Sequence, residues 1–76
     1  MTGELDRIMT LIKESGGIEG LEPDDDFYEA GFSSINALTL LMDLETACGV
    51  TIPDDRFIAS RTPRDLESMI IELKQA

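Results

Sequence analysis

Two adjacent serines, Ser33 and Ser34, follow Gly31-Phe32 and precede an apolar Ile35. They are the residues in this chain best placed to do chemistry. A hydroxyl at a loop–helix junction most often caps the helix by accepting a backbone N–H. Capping alone, however, requires neither a second serine nor an apolar residue after it. The other candidates are thin. The chain has no His, and so lacks the commonest general base and metal ligand. The single Cys48 has no disulfide partner and reads as a small apolar core residue. Lys13 and Lys74 lie in segments that form no evident pocket, so no hydrolytic triad or activated amine is assembled. The triplet Asp24-Asp25-Asp26 invites a calcium reading. Counted as an EF-hand loop from Asp24, it puts Glu29 where Gly is required and Ile35 where the bidentate Glu belongs. The triplet reads as a solvated acidic stretch, no metal site is expected, and the chain reads as a non-enzyme.

The serine pair must be positioned by helices. Leu5, Ile8, Met9 and Ile12 repeat at i, i+3, i+4 and i+7, which predicts an amphipathic helix over about residues 3–15, with Thr2 as its cap and Gly16-Gly17 as its stop. Residues 16–33 read as one long loop, with Ile18, Leu21 and Phe27 available to pack back on the core. Ser33-Ser34 opens a second helix that runs to Cys48 and stops at Gly49. This helix carries two apolar faces: Leu40, Leu41, Leu44 and Cys48 on one, Ile35, Leu38 and Met42 on the other. A domain this small cannot cover both, so the second face is expected at the surface as a partner patch. Ile52-Pro53 is extended, and residues 54–60 hold a short helix with Phe57 and Ile58 as apolar contacts. Thr62-Pro63-Arg64-Asp65 reads as a capped start, and Leu66, Met69, Ile70 and Leu73 give a last helix over about 63–74. The expected fold is all-α: a small four-helix bundle of three main helices and one short one, with a long loop between helices 1 and 2, forming a single domain over residues 1–76.

Charge narrows the partners. Sixteen acidic against six basic residues leave a net charge of -10, which disfavours nucleic acid and anionic membrane surfaces and steers basic partners inward. The same acidity also serves solubility, and composition alone does not choose between the two. The crowded Asp24, Asp25 and Asp26 have few basic residues near them in sequence, which predicts self-repulsion relieved by salt. No apolar run approaches the roughly 20 residues that span a bilayer, and the Met-Thr-Gly-Glu start lacks the features of a signal peptide. A cytoplasmic monomer is expected.

The run Asp-Phe-Tyr-Glu-Ala-Gly-Phe-Ser-Ser-Ile over residues 26–35 resembles the attachment motif of phosphopantetheine-dependent acyl and peptidyl carrier proteins. The likeness continues through Leu40, Leu41, Leu44 and Glu45 to Val50-Thr51-Ile52-Pro53-Asp54, in the family's register from serine to Ile-Pro-Asp. The resemblance implies that Ser34, which precedes the apolar Ile35, carries a covalent 4'-phosphopantetheine taken from coenzyme A. Ser33 stands where the family usually has Asp, and can serve as the helix cap. The implied function is a carrier that holds acyl or aminoacyl groups as thioesters and delivers them to partner enzymes. The implied partners are a phosphopantetheinyl transferase, an acyl- or aminoacyl-loading ligase, and synthase or transferase enzymes with basic docking patches. Ile35, Leu38 and Met42, with Asp43 and Glu45 in the charged rim, are the expected docking residues. The segment from Phe27 to Ser34 is similar in its short spacing to polyketide and peptide synthase carriers, which favours a specialised biosynthetic pathway of either kind. The alternatives are a housekeeping carrier of fatty acid biosynthesis and an unmodified acidic helical adaptor.

Overall fold

The computed structural model describes residues 3–75; Thr2, the expected cap of the first helix, lies outside them. The described chain is all-α, with four helices in the order α1 (Glu4–Gly16), α2 (Ser34–Cys48), α3 (Asp54–Ala59) and α4 (Pro63–Gln75). Gly3 occupies the N-cap position of α1 in an extended conformation and makes no side-chain cap bond. Glu4 and Asp6 in the first turn and Lys13 in the last complement the helix dipole. The helix ends at Gly17, whose φ of 66° is left-handed and whose N–H donates to the Lys13 carbonyl. At α4 the expected capped start is present: Thr62 Oγ1 accepts from the Asp65 N–H at 3.0 Å. The Asp65 carboxylate reaches back to the Arg61 N–H at 3.3 Å, one residue earlier than in the usual reciprocal pair.

α1 packs against both α2 and α4. Ile8 and Ile12 from α1, Leu40, Leu41, Leu44 and Cys48 from α2, and Leu66, Met69 and Ile70 from α4 form one buried cluster. Leu5 and Met9, expected on the buried stripe of α1, are half-buried at its margin. Phe57 enters the core from α3, but its neighbour Ile58 remains exposed, contrary to its expected packing role. In this six-residue helix Phe57 alone is buried, and Ile58, turned about 100° further round the axis, faces outward.

The stretch between α1 and α2 contains no regular element, yet it is fastened along its length. Phe27 is fully buried, and Ile18 and Leu21 pack partly buried against the core, as expected. Phe32 is also buried, edge-on to Phe27 at a centroid separation of 5.4 Å, and lies so close to Gly16 that a Cβ there would strike its ring. Residues 23–27 are laced to the α3–α4 linker and to the first turn of α4. The Phe27 N–H donates to the Arg61 carbonyl and the Arg64 N–H to the Pro23 carbonyl, each at 3.0 Å. Arg61 pairs with Asp26 at 2.6 Å and Arg64 with Asp24 at 2.8 Å. The acidic triplet is therefore not a simple repulsive cluster. Two of its three carboxylates face cations that lie far along the chain, and Asp25 Oδ2 accepts the Glu22 N–H instead. Repulsion relieved by salt is correspondingly weaker than the sequence predicts, because salt also screens these attractive pairs.

Loss of water around the Asp26 carboxyl works to raise its pKa. The Arg61 guanidinium and the Glu29 and Tyr28 amide N–H groups outweigh that effect and hold it below the usual aspartate range. A carboxylate depressed in the folded state adds stability at pH values above its unfolded pKa and loses it as pH falls through the folded value. The gap in melting temperature between the wild type and Asp26→Asn should thus be widest near neutral pH and shrink below about pH 4. A gap independent of pH would show that the Asp26 charge does not fasten the loop.

Candidate functional site

The turn that follows Phe27 is what presents the serines. Asp26 Oδ1 accepts the N–H groups of both Tyr28 and Glu29, at 2.9 and 3.1 Å, and starts a tight turn. The turn closes when the Phe32 N–H donates to the Phe27 carbonyl at 2.9 Å. Gly31 completes the reversal at a φ of 113°, a value that side-chain-bearing residues rarely adopt. Phe32 consequently points into the core, and the next two residues emerge at the surface. Ser33 adopts an extended backbone and its Oγ accepts the Ile35 N–H at 3.2 Å, so Ser33 is the N-cap of α2. Ser34 is the first helical residue. Its side chain is exposed and makes no hydrogen bond among the described residues. The two serines therefore divide the work: one is committed to capping, and the other offers a free hydroxyl at the positive end of α2.

That arrangement fits a phosphopantetheine arm. A phosphodiester oxygen attached here would lie at a helix N-terminus, where negative charge is favoured, and Ser34 is exposed among the described residues. Among the described residues, no side chain accepts a hydrogen bond from the Ser34 hydroxyl as a base would. The family model described as "phosphopantetheine attachment site" matches residues 6–70. The chain belongs to that family. It is a phosphopantetheine carrier protein, and 4'-phosphopantetheine is its cofactor. The carrier is similar in fold to the actinorhodin acyl carrier protein of Streptomyces coelicolor in its acetyl form, with a TM-score of 0.67 and 29% sequence identity. That match covers 100% of this chain and 94% of the other. No curated protein matches the sequence significantly.

Around Ser34 the surface of the carrier is apolar. Ile35, Leu38 and Met42 are 85%, 64% and 59% exposed, and Ile58 of α3 is 69% exposed. At about 100° per residue, Ile35, Leu38 and Met42 fall within one narrow arc of α2, opposite the arc that buries Leu40 and Leu44. Between α2 and α3 runs an open groove of about 600 Å³ with Ser34 at its edge. Tyr28, Ala37, Leu38, Leu41, Phe57 and Ile58 form its walls, and Asp54 and Arg61 are its charged residues. The sequence reading did not single out Ile58, Tyr28 or Arg61 for this region, since they come from three separate segments.

The two acids expected in the docking rim are engaged elsewhere. Asp43 is half-buried on the side facing α1, where its Oδ2 accepts from Ser15 Oγ at 3.5 Å. Glu45 is also half-buried, and its Oε2 accepts the Ile52 N–H at 2.9 Å, tying the linker after α2 back onto the helix. Cys48 is buried at the far end of α2 from Ser34, and its thiol donates to Glu4 Oε2 at 3.2 Å. Burial, and then the Glu4 carboxylate, pushes the thiol pKa up, so Cys48 stays protonated and structural. Glu4 also pairs with Lys74 at 2.6 Å. Among the described residues, no three His, Cys, Asp or Glu side chains converge as a metal site, and no helix is long and apolar enough to cross a membrane.

The exposed arc makes a direct prediction. Leu38→Glu or Met42→Glu should change folding stability by less than about 0.5 kcal/mol, as surface substitutions do. Leu41→Glu, on the buried arc, should cost at least about 3 kcal/mol because it buries an unpaired charge. Denaturant melts of the three variants measure the difference. Equal losses would mean that the two faces are not distinct.

Proposed function

We propose that Ser34 is the attachment residue, and that this protein is a non-catalytic cytoplasmic tether for acyl or aminoacyl groups in a specialised pathway of polyketide or non-ribosomal peptide type. The observation that carries the assignment is the unequal use of the two serines. Ser33 Oγ is occupied by the Ile35 N–H, while the Ser34 hydroxyl is exposed and unbonded. The arm supplies a terminal thiol on which cargo is held as a thioester. The protein's own part is to hold Ser34 at a fixed place on the surface, favour the phosphodiester charge at the start of α2, and keep the surrounding surface open to enzymes.

Ile35, Leu38 and Met42, joined by Ile58, form the apolar centre of the docking surface in this reading. Met42 lends adaptability toward several partners. Five of the six basic residues pair with acids inside the fold, so the outward field remains strongly negative. That field steers a transferase, a loading ligase and synthase enzymes that carry basic patches. Asp43 and Glu45 contribute charge to the field, while their hydrogen bonds serve the fold. The pathway class is supported by the likeness to the actinorhodin carrier and by the short spacing from Phe27 to Ser34.

Intact-mass measurement after incubation with coenzyme A and a broad-specificity phosphopantetheinyl transferase tests the assignment. The wild type and Ser33→Ala should gain one prosthetic group. Ser34→Ala should gain none while keeping its helical circular-dichroism spectrum. Prosthetic mass on Ser34→Ala would overturn the site, and no gain on the wild type would favour the unmodified adaptor.

A further inference from the structure

Arg61 stands out among the residues lining the groove beside Ser34, because among the described residues it is the only cation there. It is also held still. Its carbonyl accepts the Phe27 N–H, its N–H donates to Asp65, and its Nε–H donates to Asp26 Oδ2 at 2.6 Å. Its guanidinium carbon lies 5.1 Å from the centroid of the Tyr28 ring. Only Nε is used in these side-chain bonds. Nη1 and Nη2 have no hydrogen-bond acceptor among the described residues. Arg61 thus lines a largely apolar groove with a half-exposed guanidinium that is fixed at one edge and keeps a fork of N–H donors unmatched by any acceptor of the described residues. Such a fork matches carboxylate and phosphate oxygens in pairs.

We propose that the Nη groups of Arg61 receive an anionic oxygen of the group tethered at Ser34, either from the phosphodiester of the arm or from a carboxylate on the cargo. The inference rests on Ser34 being the attachment residue. Tethering matters to it, since a net charge of -10 repels free anions from the surface, whereas an anion attached beside the groove is present at high effective concentration. Free phosphate and free glutarate are therefore not ligands. Asp54 lines the same groove and opposes the anion electrostatically. Asp54→Asn should accordingly strengthen the interaction, and Arg61→Lys should weaken it, because Lys can keep an ion pair with Asp26 but has no fork.

The test follows the Arg61 Nε–H resonance of the nitrogen-15-labelled protein in four forms, each verified by intact mass: apo, holo, and holo loaded with pentanoyl or glutaryl, two acyl groups of equal chain length. A shift already present in the holo form supports the phosphodiester as the source. A shift in the glutaryl form that is absent from the holo and pentanoyl forms supports a cargo carboxylate. A resonance unmoved through all four forms, or moved equally by pentanoyl and glutaryl but not by holo formation, overturns the proposal and leaves Arg61 as a clamp for the loop. In the variants, Arg61→Lys should reduce any gain in melting temperature caused by the anionic form, and Asp54→Asn should enlarge it. Should Arg61→Lys not fold, the wild-type series decides alone. A wild type that gains no prosthetic mass refutes the attachment reading itself, and this inference with it.

Discussion

Phe27 lies fully buried in the middle of a stretch that has no helix or strand of its own, and the position of Ser34 follows from that burial. Removing such a side chain from water contributes about 1.5–3 kcal/mol, which helps offset the entropy lost in ordering the loop. Tyr28 and Phe32 pack on the same ring, at centroid distances of 4.6 and 5.4 Å, and build a small aromatic cluster inside the loop. Around it, backbone bonds and ion pairs from residues 23–27 to the α3–α4 linker and to the first turn of α4 hold the loop from outside. With Phe27 and Phe32 both fixed, the chain between them can only turn outward and return. The residue pair after Phe32 then has to appear at the surface where α2 begins. The Ser34 hydroxyl is exposed because Phe27 and Phe32, which precede it, are buried.

α2 extends the same division along its length. One arc closes the core through Leu40, Leu41, Leu44 and Cys48, and the opposite arc leaves Ile35, Leu38 and Met42 in solvent. A helix that is apolar over so wide an arc would normally have that arc enclosed. Here the described residues leave part of that arc uncovered, and the uncovered part lies next to Ser34. In the proposed reading the tethered group is presented to several enzymes in turn, and an open apolar arc within a strongly negative field suits that task without a pocket specific to one partner.

The main helices were legible because their information is local. The stripes of α1 and α4, the stops at Gly17 and Gly49, and the inward set on α2 follow from residues within a few positions of each other. The cap at Ser33 was legible for the same reason, since it is adjacent to the first helical residue, Ser34. What the sequence concealed depends on distant segments. Asp24 and Asp26 looked unpaired because Arg64 and Arg61 lie 40 and 35 residues away. Glu45 looked like a free rim charge because the amide that engages it belongs to the linker after the helix. Ile58 looked like a packing residue because its period is indistinguishable from that of Phe57 in so short a helix. The groove joins residues of the loop, α2 and the α3–α4 region, and no window of sequence contains it.

In the proposed reading a rigid frame offers the Ser34 hydroxyl for modification and is not itself altered by it. Amide spectra recorded before and after enzymatic transfer of the arm measure this residue by residue. The account predicts changes confined to the neighbourhood of Ser34, over residues 31–38 and along the groove to Arg61. The amides of Phe27, Leu44 and the core positions of α1 and α4 should stay in place. Changes spread through α1 and α4, or centred away from the start of α2, would contradict it.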